Sequence, residues 1–165
     1  PDSAKLREDL LLAFPKEVAA SQSALRLLAD LQEAQNKISE AIKSTQRAIT
    51  LEATVEDYES LSRLYRLQRR FTESLAAANQ ALKLDDTAIY VQFERACSLA
   101  QLGRKRDAIA ALKLMIEAEQ PVFFDADDPD LQPLAAMPEF KALKEKMNAP
   151  VVNEAPTKPD KPVKQ

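Results

Sequence analysis

The feature that most limits what this chain can fold into is a pattern that returns at a fixed step. Small residues recur at Ala41, Ser74 and Ala108, steps of 33 and 34 positions, and Ala48, Ala81 and Met115 keep the same steps. Residues 55–118 carry the clearest copies: a segment containing Tyr58, Leu61, Ser62 and Tyr65, then one containing Ser74, Ala77, Ala78 and Ala81, with the same order returning afterwards. Self-similarity at this period dictates architecture, because a unit of two helices cannot bury its apolar face alone and must stack on its neighbours. The small residues mark where two helices of a hairpin approach too closely for a long side chain.

The alphabet agrees. The 165 residues include one Gly, no Trp and no His, and are rich in Ala, Leu, Glu, Lys, Gln and Arg. Such a chain favours helix over strand and is long enough for a sizeable core.

In detail the pattern resembles the tetratricopeptide repeat: a large residue, Leu three on, a small residue next, Tyr three later, then Ala in the second helix. Tyr58, Leu61, Ser62, Tyr65, Ser74 and Ala81 fill these slots in the middle copy. The next copy has Gln92, Arg95, Ala96, Leu99, Ala108 and Met115; the preceding one has Leu25, Leu28, Ala29, Ala41 and Ala48, with Gln32 where Tyr is usual. The repeat-ending Pro is absent, Asp86 taking the middle slot and Pro121 arriving one residue late. The resemblance implies an all-α solenoid, a right-handed superhelix of about three helical hairpins over residues 21–120.

Around these repeats the expected organisation is an N-terminal helix, a cap and a tail. Residues 3–14 read as a helix with Leu6, Leu10 and Phe14 on its packed side, stopped by Pro15. This helix, within residues 1–20, looks like the second half of a preceding repeat or a dedicated cap. The chain opens on Pro1-Asp2-Ser3 without an initiator Met or a signal-peptide layout, so something upstream is expected to have been removed. The first repeat should pack through Leu27, Leu28 and Leu31, then Ile38, Ala41, Ile42, Ala48 and Ile49. Its turn slot holds Asn36, and the next two hold Arg69 and Gly103, a position that favours positive φ. Thr54 followed by Asp57 reads as a capping box.

Residues 121–148 resemble the closing module of bacterial tetratricopeptide proteins. Phe123, Phe124 and Leu134 should cover the last repeat, and Phe140, Leu143 and Met147 should form the stripe of a closing helix that begins at Pro138. Residues 149–165, with Pro150, Pro156, Pro159 and Pro162 among charged residues, read as a flexible, polyproline-II-like tail.

Candidate chemistry is sparse. Without His there is no Ser-His or Cys-His pair, and with one Gly there is no phosphate-binding loop, so an enzyme and a cofactor are not expected. One Cys forms no intramolecular disulfide, and no apolar run is long enough to cross a bilayer. Net charge is −3, and the basic residues Arg63, Arg66, Arg69, Arg70 and Arg104-Lys105-Arg106 lack interleaved aromatics, so nucleic acid is not expected as a partner. Asp125, Asp127, Asp128 and Asp130 lack the Gly and distal Glu of a calcium loop; Asp125 or Asp128 instead suits a helix cap.

What the resemblance does imply is a concave groove lined by the first helix of each repeat and holding a protein or peptide partner. The matching slots are Arg26 and Asp30, then Glu59, Arg63 and Arg66, then Tyr90, Phe93 and Cys97. Arg63 and Arg66 would meet acidic groups, and Tyr90 and Phe93 would supply anchors. The chaperone-tail sub-family is disfavoured, because Asp30 and Glu94 in its clamp slots would repel a terminal carboxylate. The tail's Pro and Lys residues also suit an extended ligand facing Glu59 and Asp30. The competing reading is a structural spacer with no ligand of its own; a spacer should tolerate Arg63→Glu and Phe93→Ala. The partner, the compartment and the oligomeric state are not legible.

Overall fold

The computed structural model describes residues 3–118 and 124–148. The expectations for Phe123 and for the tail at 149–165 lie outside these residues. The described chain is helical throughout: α1 (Ser3–Leu12), α2 (Pro15–Ala19), α3 (Gln22–Ala34), α4 (Ile38–Leu51), α5 (Val55–Leu67), α6 (Phe71–Leu84), α7 (Val91–Gln101), α8 (Lys105–Ile116), a 3₁₀ turn (Pro129–Leu134) and α9 (Pro138–Asn148). Three antiparallel hairpins, α3–α4, α5–α6 and α7–α8, pack in chain order.

Each hairpin closes by the same device. Asn36, Arg69 and Gly103 have φ of 59°, 57° and 77°. The following amides of Lys37, Arg70 and Arg104 donate to the carbonyls of Gln32, Tyr65 and Leu99 at 2.8, 2.9 and 2.8 Å. This i to i−5 bond is the mark of a Schellman ending. Arg69 therefore adopts the left-handed conformation despite its Cβ, where only its neighbours' residue types are well suited. Starts are marked too: the Ser21 and Thr54 hydroxyls accept from the amides of Ala24 and Asp57, both at 3.3 Å.

The small slots are filled as the period requires. Ala41, Ala48, Ala81 and Ala108 are fully buried, and Leu28, Leu31 and Ile42 lie in the core. Ser62, Ser74 and Ser98, on α5, α6 and α7, form one buried hydroxyl chain, with Oγ–Oγ distances of 3.0 Å for Ser62–Ser74 and 2.7 Å for Ser98–Ser74. Ser62 also reaches the Ser74 carbonyl at 2.9 Å. Three polar groups thus enter the tightest part of the stack at little cost, because each finds a partner.

Two expectations need correction. Leu27 is 47% exposed, and Leu25, two residues before it, is fully buried instead. In α1 the predicted packed side faces outwards: Leu6, Leu10 and Phe14 are 65%, 63% and 54% exposed, while Glu8 is buried. The reason is an ion pair. Lys37 Nζ lies 2.6 Å from Glu8 Oε2, which turns the charged side of α1 towards the α3–α4 turn and leaves only Leu11 of its leucines against Val18, Leu25 and Leu28. Pro15 ends α1 as expected, but it also opens α2, where its fixed φ suits a first turn.

At the other end the chain closes itself. Phe124, Leu131, Leu134, Phe140 and Leu143 join α7 and α8 in one cluster, with Met147 packed against it. Leu131 and Leu134 are as buried as the centre of any repeat. Asp128 caps the 3₁₀ turn, its Oδ1 accepting from the Asp130 amide at 2.8 Å.

Candidate partner-binding groove

The first helices of the hairpins, α3, α5 and α7, lie side by side, and charged side chains cross between them. Arg26 on α3 forks onto Asp57 on α5, Nε to Oδ1 at 2.6 Å and Nη2 to Oδ2 at 2.9 Å. The Asp57 carboxylate is nearly inaccessible, and Thr54 and Gln22 complete its shell. Arg63 on α5 pairs with Glu33 on α3. Arg66, farther along α5, is bound by three carboxylates: Glu94 on α7 at 2.8 Å, Asp130 at 2.9 Å and Asp128 at 3.1 Å.

This last cluster changes the shape of the face. Asp128 and Asp130 belong to the closing segment, so Arg66 draws that segment across the C-terminal half of the row of first helices. The Phe93 ring stacks on Phe124 with centroids 6.2 Å apart and takes the Arg66 guanidinium at 5.6 Å. Cys97 is fully buried beneath them. Burial raises the Cys97 thiol pKa far above its ordinary value, more than the nearby Arg66 lowers it; the thiol is a packing group. For Arg66 burial opposes the charge, but the bond and charge of Glu94 and the bond to Asp130 raise its pKa well above the ordinary value. Tyr90 stands apart, 65% exposed just before α7.

The N-terminal half stays open. A cleft of about 190 Å³ lies between α3 and α5, lined by Arg26, Ala29, Asp30, Glu56, Asp57 and Ser60, with Thr45 of α4 at its base. Among the described residues Asp30, Glu56 and Glu59 make no side-chain hydrogen bond or ion pair. Desolvation raises the Asp30 pKa, with Glu33 adding to the shift and Arg63 and Arg26 opposing it. Desolvation raises that of Glu59 too, with Glu94 adding to it. A larger depression of about 500 Å³ runs along residues 103–107 and Met137; its rim residues are exposed, Arg104 is already paired with Asp107, and it holds none of the groove residues.

The acidic run of the closing segment is committed elsewhere: Asp128 and Asp130 to Arg66, Asp127 to Lys144 at 2.7 Å, and Asp125 to the Asp127 amide at 2.9 Å. Among the described residues no cluster of acids or Cys is arranged to hold a metal, and no helix is long and apolar enough to cross a membrane.

No protein-family model matches the sequence, and no curated protein does. Solved structures do. One, described as the crystal structure of MamA, superposes with a TM-score of 0.63 at 17% identity, covering 87% of this chain and 79% of that one. Another, described as YrrB, a TPR protein with an unusual peptide-binding site, gives 0.66 at 13% identity over 87% and 77%. The fold is that of a tetratricopeptide-repeat array.

On the repeat frame, the predicted residues other than Tyr90 separate into two groups. Arg26, Asp30, Glu59 and Arg63 gather along the open α3–α5 half. Arg66, Phe93 and Cys97 gather under the closing segment. The sequence reading missed the acids that neutralise the arginines, Glu33, Asp57 and Glu94. Their signal was present: they stand 30, 31 and 28 positions from their arginines, somewhat under one repeat, which places them on the neighbouring first helix. Asp128 and Asp130, 62 and 64 positions away, carry no such signal.

Proposed function

We propose that the chain is a non-enzymatic protein-interaction module that holds an extended basic peptide, or the basic face of a partner's helix, on the α3–α5 half of its inner surface. One observation carries this reading: the arginines of the surface are matched by the chain's own carboxylates, while Asp30 and Glu56, which line an open cleft, and Glu59, farther along α5, are left unmatched. Partly desolvated carboxylates without a partner cost stability, and a cationic ligand would offset that cost. The likeness to a solved tetratricopeptide protein described as having a peptide-binding site supports the same use of the fold.

A photo-reactive residue at Ser60, on the cleft wall, tests it against one at Leu114, exposed on α8. The expected result is a partner captured from Ser60 alone and lost in Asp30→Lys/Glu59→Lys or in 0.5 M salt, where the screening length falls to about 4 Å. Capture from both positions, or capture indifferent to the charge reversal, would overturn the assignment.

The spacer reading draws on a separate observation, the outward apolar side of α1 at Leu6, Leu10 and Phe14. It would gain if a folded chain captured nothing through Ser60.

A further inference from the structure

We infer that the open half of the groove is occupied in cis by the chain's own C-terminal segment, which competes with any external ligand. The inference rests on the groove reading above and names a regulator of it. Residues 156–164 spell the triplet Pro-x-Lys three times: Pro156-Thr157-Lys158, Pro159-Asp160-Lys161 and Pro162-Val163-Lys164. A polyproline II strand has three residues per turn and rises about 3.1 Å per residue. In that conformation Lys158, Lys161 and Lys164 fall on one edge, about 9 Å apart.

The unmatched acids are distributed over neighbouring first helices, Asp30 on α3 and Glu56 and Glu59 on α5. Around the cleft, Arg26 and Arg63 stand against Asp30, Glu33, Glu56, Asp57 and Glu59, so the surplus charge is negative. Residues 149–157 give the segment a reach of about 28 Å when extended as polyproline II. The three prolines also lower the entropy lost on docking, because their φ is fixed beforehand.

The test is fluorescence anisotropy with a labelled peptide of residues 149–165, titrated into three full-length chains: the wild type, Lys158→Glu/Lys161→Glu/Lys164→Glu, and the same chain also carrying Asp30→Asn/Glu59→Gln. Circular dichroism establishes that each is folded. A tethered segment acts at an effective concentration on the order of millimolar. The peptide should therefore bind the Lys→Glu chain about tenfold more tightly than the wild type, and lose that affinity when the two acids are neutralised. Equal affinity for wild type and Lys→Glu chain overturns cis occupancy and leaves the groove as a peptide site. A difference that disappears on dilution moves the tail onto a second copy and likewise overturns it. Binding insensitive to Asp30→Asn/Glu59→Gln overturns both the inference and the groove assignment. Binding to none of the chains overturns the tail as ligand, while the crosslinking at Ser60 decides the groove independently.

Discussion

At the scale of single residues, the chain is governed by positions where one backbone or one hydroxyl has no alternative. Gly103 has φ of 77°, and a Cβ there would meet nothing within 4 Å. The cost of Gly103→Ala is therefore conformational alone, about 1 kcal/mol, and should appear as a lowered urea midpoint with an unchanged slope. Ser74 is the middle of the buried hydroxyl chain. Ser74→Ala would leave Ser98 without an acceptor and Ser62 with the carbonyl only, an expected loss of about 1–3 kcal/mol by denaturant titration. The two cases differ in how far they could be read beforehand. Positive φ at Asn36, Arg69 and Gly103 is a local demand that repeats with the period, so the sequence displays it. The meeting of Ser62, Ser74 and Ser98 needs three helices in place; the sequence displays only that each is small.

At the scale of elements, ion pairs decide which face of a helix turns inwards and which segment lies across which. α1 presents leucines on several sides, so its apolar spacing does not select one face, and the Glu8–Lys37 pair selects instead. Hydrophobic periodicity misled there for a physical reason: it assumes that a charge stays outside. Arg66 acts at the opposite end. Its guanidinium side chain is 12% exposed, and it satisfies Glu94, Asp128 and Asp130 together. Arg66→Ala should cost about 3–5 kcal/mol, because it leaves carboxylates buried without a cation. Hydrogen exchange should show the loss first in residues 124–134. Arg66→Glu would accordingly report on closure of the array and not on ligand binding, whereas Arg63, 36% exposed and on the open half, remains a usable probe of the groove. Sequence reasoning placed both arginines on the same surface; only the return of the closing segment distinguishes them.

At the scale of the whole molecule, the unmatched carboxyls Asp30 and Glu59 contribute to how stability varies with pH. Desolvation holds the carboxyl pKa values of Asp30 and Glu59 above their ordinary 3.8 and 4.5. Between the ordinary and the raised values the folded chain binds more protons than the unfolded one, so these two groups lower stability as pH rises through that window. Asp30→Asn/Glu59→Gln should consequently raise the melting temperature at pH 7, and the gain should vanish below about pH 3.8, where both native carboxyls are protonated in either state. A gain that persisted in acid would point to packing and not to charge. The repeat period made the array itself legible, because every hairpin obeys the same local rules. The groove was legible only in outline, since its charge depends on which acids are already matched across neighbouring helices.

The closing segment, finally, acts as a ruler. By lying over Arg66, Phe93 and Cys97 it leaves only the width of two first helices uncovered, about 20 Å at ordinary helix spacing. An extended chain covers that in about six residues. If the open half holds the proposed basic ligand, the array would select by length as well as by charge: a longer ligand would have to leave the surface at α5, and what it carries beyond that point would go unread.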